Sequence, residues 1–96
     1  MRVFYVDLAG VRDKAGLHDA LMRDLPLPDY YGRNLDALHD VLTEYGSDWD
    51  VIFYNTREAQ EALGDYYTAL KRLCRDVVSE FAEDEPESGM RVRFYP

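Results

Sequence analysis

The sequence predicts an α/β fold in which a three-stranded parallel sheet is flanked by about four helices. Three observations predict it. Short runs rich in β-branched and aromatic residues stand near the start, the middle and the end of the chain. Helical periodicity fills the intervals between them. Those intervals are far longer than a hairpin turn, so the strands are joined by crossovers and pair in parallel, with right-handed connections.

Residues 2–7, RVFYVD, predict the first strand, and Gly10 supplies the turn after it. Residues 14–24 place Leu17, Ala20, Leu21 and Asp24 at helical spacing before Pro26 and Pro28 forbid continuation. The stretch 25–34, LPLPDYYGRN, reads as a stiff loop, because each proline pushes the residue before it toward extended backbone. Asn34 then caps a helix from Leu35 to about Tyr45, which Gly46 ends. Residues 50–54, DVIFY, form a nearly continuous apolar run, as in a strand covered on both faces. Residues 56–80 read as helix interrupted near Gly64, hence as two helices. Glu80 to Ser88 carries five acids and no base and reads as a solvated loop. In the closing residues Val92 and Phe94 alternate with Arg91, Arg93 and Tyr95, which predicts the third strand.

Ninety-six residues suit a single domain spanning 1–96. The formal net charge of -8 argues against direct binding to nucleic acid or an anionic membrane and favours a basic protein partner. Cys74 is the sole cysteine, so no internal disulfide or cysteine-based zinc cluster can form within the chain, and a reducing compartment fits. The N-terminus meets Asp7 too early for a secretory or membrane-spanning segment, and the expected location is the cytoplasm.

Charge placement carries the functional signal. On a helix beginning at Leu35, residues turn by about 100° each, so Leu35, Leu38, Val41, Leu42 and Tyr45 share one side. Asp36, Asp40 and Glu44 share the opposite side, at spacing i, i+4, i+8. Like charges so spaced cost about 0.2–0.5 kcal/mol per pair, so the row does nothing for the helix itself. Asp36 alone gains from the helix dipole, and Glu44 taken singly is an ordinary solvated residue. Asp40 lies mid-helix between two acids and is the strongest candidate for a binding role. The window 28–50 holds six acids against Arg33 alone, a local net charge of -5. Of the adjacent tyrosines, Tyr31 is expected in the core and Tyr30 outside, as an anchor of large contact area and small entropic cost. His39 reads as a surface residue beside the row rather than a metal ligand.

The stretch LPLPDYYGRNLDALHDVLTEY resembles the loop and second helix of the barstar family of ribonuclease inhibitors, and the likeness covers about residues 1–55 well and the rest more loosely. The resemblance implies that the acidic helix and its preceding loop enter a nuclease active site. It implies that Asp40 mimics an RNA phosphate, Asp36 pairs with an arginine of the base-recognition region and Tyr30 packs on the catalytic histidine. It also implies that Gly32, Asn34, Leu35 and Thr43 line the contact and that a later helix contributes an acid aligned with Asp76. This sequence departs from the family at His39 and Tyr45, where the family has tryptophan, and at Arg33, where it has an acid. The acidic stretch at 80–88 and the lack of a proline before the second strand are further departures.

The expected protein is therefore not an enzyme. It needs no cofactor or metal, and as a monomer it blocks a basic microbial ribonuclease in a 1:1 complex, with Tyr30, Gly32, Asn34, Leu35, Asp36, His39, Asp40, Thr43, Glu44 and Asp76 at the interface. One alternative is an immunity or adaptor protein for a different basic toxin. The other is a small metal-dependent hydrolase using Asp36, His39 and Asp40, against which stands the lack of a phosphate-cradling loop, a nucleophile elbow or a His-x-x-x-His pair.

Overall fold

The computed structural model describes residues 1–84 and 89–96. Strand β1 (Arg2–Asp7) is followed by α1 (Lys14–Asp24), α2 (Leu35–Tyr45), β2 (Trp49–Tyr54), α3 (Arg57–Leu63), α4 (Asp65–Asp84) and β3 (Arg91–Phe94). All three strands are parallel, with β2 in the middle. Val6 pairs across to Phe53, which pairs in turn to Phe94.

The core lies between the helices and one face of this sheet. Val6, Trp49, Val51 and Phe53 supply the sheet side, and Leu17, Leu21, Leu38, Leu42, Leu70 and Val77 supply the helix side. Residues of the opposite parity face away, and Val3, Tyr5 and Tyr95 remain exposed. β2 is thus buried on both faces, but only one of them by helices. On the other face Ile52 and Asp50 are covered by side chains of the flanking strands, with Arg93 Nη2 donating to Asp50 Oδ2 at 2.9 Å. The expected strand covered on both faces is therefore found, with helices over one face and neighbouring side chains over the other.

Local chemistry sets the helix ends. Asp13 caps α1 by accepting from Gly16 N–H at 2.7 Å, and the extended Leu25 ends it before Pro26. Gly64 adopts φ +54°, a left-handed conformation that costs glycine little, and so divides α3 from α4. The loop expected over Glu80 to Ser88 is corrected in its first half: α4 runs on to Asp84. Phe81 is the reason, because it packs against the core one turn beyond Val77 and extends the apolar stripe, while Glu80, Glu83 and Asp84 stay on the wet side. Residues 85–88 lie outside the described part of the chain.

Candidate binding surface on the second helix

The loop before α2 is held from both ends. Pro28 C=O accepts from Tyr31 N–H at 3.0 Å, which turns the two tyrosines in opposite directions: Tyr31 is buried, whereas Tyr30 is 76% exposed. The Tyr31 hydroxyl lies 2.8 Å from His18 Nδ1, and His18 Nε2 lies 2.8 Å from the Tyr66 hydroxyl, so a buried imidazole ties the loop to α1 and α4. Burial, with help from the charge of Arg33, draws the His18 pKa below its ordinary value. Arg33 adopts φ +55° and sends its guanidinium back to α1, where it donates to Asp19 Oδ1 at 2.6 Å and Ala15 C=O at 3.3 Å.

Helix entry is equally fixed. Asn34 accepts from Ala37 N–H at 2.7 Å through Oδ1 and donates to Gly32 C=O at 3.1 Å through Nδ2. Gly32 approaches so closely that a Cβ there would stand 3.2 Å from that of Ala37. Leu38, Val41 and Leu42 then anchor α2 in the core, and Leu35 is half-buried at its start.

That anchoring turns Asp36, Asp40 and Glu44 to solvent in one row. Asp40 is 83% exposed, and His39 Nδ1 lies 3.8 Å from its Oδ1. Among the described residues no lysine or arginine of the chain forms an ion pair with any of the three acids. Thr43 spends its hydroxyl on the carbonyls of His39 and Asp40, both at 3.0 Å. At the far end the Tyr45 hydroxyl is pushed up to about 12, chiefly by hydrogen bonding with the Tyr30 hydroxyl and then by the Glu44 carboxylate. Loop and helix therefore present one continuous surface from Tyr30 to Tyr45.

A family model described as "Barstar (barnase inhibitor)" matches residues 1–93. The chain belongs to the barstar family. Among curated relatives, the Bacillus subtilis (strain 168) protein named "Putative ribonuclease inhibitor YrdF" is 32% identical over 85 residues, which cover 88% of this chain and 93% of that protein.

On this barstar-family scaffold, nine of the ten expected site residues lie on the loop and α2. Asp76, the tenth, sits exposed on α4, which packs along α2. Each helix leads into one of two parallel strands, so α2 and α4 run in the same direction. His39 fixes their register, with Nε2 3.6 Å from Glu80 Oε1.

Asp50 leaves the acidic window altogether: it is buried in β2 and spent on Arg93. Arg33 leaves it too, neutralised by Asp19. Glu80, beside His39, joins the surface and was missed in sequence because its segment read as loop. The clamp through His18 was missed as well; its only signal is a histidine next to Leu17 on the apolar side of α1. Among the described residues, no three His, Cys, Asp or Glu side chains are grouped to hold a metal ion, and no helix is long and apolar enough to cross a membrane.

Proposed function

We propose that the protein is a ribonuclease inhibitor that inserts α2 and its preceding loop into the active site of a basic microbial ribonuclease. The single observation carrying this reading is the exposed carboxylate row of Asp36, Asp40 and Glu44, rigidly mounted and unneutralised by lysine or arginine among the described residues. A nuclease must gather cations to stabilise phosphate charge. A fixed line of carboxylates meets that potential without offering a bond to break. Asp40 takes the phosphate position, Asp36 pairs with an arginine of the base-recognition region, and Tyr30 packs on the catalytic histidine. Gly32, Asn34, Leu35, His39 and Thr43 form the surrounding contact, with Glu44 and Asp76 at its rim. The barstar-family match and the name of the Bacillus subtilis relative support the class of target.

Titration against a panel of small basic ribonucleases, by residual RNA cleavage, tests the proposal. Asp40→Ala is expected to weaken inhibition by at least about 2 kcal/mol, roughly thirtyfold, because it strands a desolvated cationic cluster. Glu44→Ala is expected to lose less than about 1 kcal/mol, as rim charges do. Small and equal losses in the two variants, or no inhibition of any panel member, would refute it. His39 and Tyr45, which replace the family's tryptophans, favour a target other than barnase itself. A basic toxin of another activity is the second reading, and it predicts tight binding without any ribonuclease to inhibit.

A further inference from the structure

The two edges of the sheet are finished differently. In parallel pairing, one residue turns both its N–H and C=O to a neighbouring strand and the next turns both the other way. On β1, Asp7 is an outward residue. Its N–H donates to Asp24 Oδ2 at 3.0 Å and its C=O accepts from Arg23 Nη2 at 2.7 Å, so side chains close that edge at its C-terminal end, while Val3 and Tyr5, of the same parity, turn their backbone groups outward without such a cap among the described residues. On β3, Tyr95 N–H donates to Phe53 C=O at 2.8 Å and Tyr95 C=O accepts from Thr56 N–H at 3.3 Å. Parity then leaves the backbone groups of Val92 and Phe94 pointing outward, and neither is capped by a side chain among the described residues.

Along this open edge runs a cleft of about 430 Å³ between β3 and α4. Its apolar wall comes from Cys74, Val78, Val92 and Phe94. Its cations are Lys71, Arg75, Arg91 and Arg93, and among the described residues no carboxylate lines it, although the chain as a whole has net charge -8. Arg93 is committed to Asp50, which leaves Lys71 and Arg75 on the α4 side, with Arg91 at the rim on the same strand face as Arg93; Lys71 Nζ stands 5.3 Å from the centre of the Phe94 ring. Lys71 and Arg75 lie on the flank of α4 away from Asp76 and Glu80, as the turn of about 100° per residue requires. The cleft is therefore separate from the acidic surface.

We infer that this cleft docks an extended acidic segment of a partner protein. The segment adds to β3 as a fourth strand, exchanging hydrogen bonds with Val92 and Phe94. Alternate side chains settle on the apolar wall, and carboxylates meet Lys71, Arg75 and Arg91. A second copy of the chain is a poor occupant, because its own β3 would bring the same cations face to face.

A labelled synthetic peptide of alternating glutamate and valine with a central phenylalanine, followed by fluorescence anisotropy, is the direct probe. The expected result is saturable binding that shifts the Val92 and Phe94 amide resonances. It should weaken at least tenfold in the double variant Lys71→Glu, Arg75→Glu, and at least tenfold again in wild type when alternate peptide amides are N-methylated. The methylated peptide keeps the charge and leaves the protein untouched, so it decides the matter even if the double variant fails to fold. Several outcomes would overturn the inference: no binding at about 1 mM peptide, equal binding of the methylated peptide, unshifted Val92 and Phe94 amides, tighter binding of a uridine oligonucleotide, or a protein that dimerises through β3. Peptide binding should persist in the Asp40→Ala variant, which separates this test from that of the inhibitory surface.

Discussion

His18 is the residue on which the binding loop leans. It is buried with both ring nitrogens on tyrosine hydroxyls, and the charges near it are Arg33, Asp19 and, over the Tyr66 ring, Lys14. Its pKa in the folded chain lies below the ordinary 6.5, chiefly through burial. The unfolded chain therefore takes up the proton first, and the contribution of neutral His18 is complete above that value and lost as pH falls below it. Urea unfolding should show a midpoint that declines between about pH 7 and pH 5, with the decline removed in His18→Gln. A midpoint independent of pH in the wild type would contradict the assignment. Tyr31→Phe leaves one ring nitrogen without its partner and should cost about 1–3 kcal/mol in the same measurement. At this scale the expectation of Tyr31 in the core and Tyr30 outside is met. The sequence could not reveal that a histidine thirteen residues upstream receives the inward hydroxyl, because that contact depends on how α1 lies against the loop.

Among the elements, α2 was the most legible. Cap, apolar stripe, acidic row and terminal Gly46 all agree, and the observed bounds match the expected ones. Its cap is testable: Asn34→Ala should lower unfolding free energy by about 1 kcal/mol through the lost bond to Ala37 N–H, read by denaturant titration with an unchanged slope. A loss of inhibition beyond that stability change would mean that the loop conformation also depends on the bond from Asn34 to Gly32. The end of α4 was less legible, since charge density there hid a single useful aromatic, Phe81. β2 gained Trp49, which the acid at Asp50 concealed. An aspartate inside a central strand is tolerated only because Arg93 arrives from β3, and no reading of one strand in isolation contains that partner.

Taken whole, the molecule separates its charge. Acids line α2, and cations collect where α4 meets β3. Association with a basic ribonuclease should accordingly be fast at low salt and slow steeply as salt rises, measured by stopped-flow mixing, while dissociation changes little. An on-rate insensitive to salt would mean that the row does not steer encounter. The parallel topology followed from connection lengths, but the sheet face without helices did not, because only the register across strands gathers Tyr5, Tyr54 and Tyr95 on it. Cys74 belongs to this scale as well. Its side chain is buried, at the inner wall of the cleft between α4 and β3, and its thiol is pushed up to about 12 by burial. Folded molecules should thus be chemically silent toward disulfide reagents at neutral pH, and colour should develop only when the whole structure opens. The molecule carries its own stopwatch for global unfolding, and a bound ribonuclease should slow it.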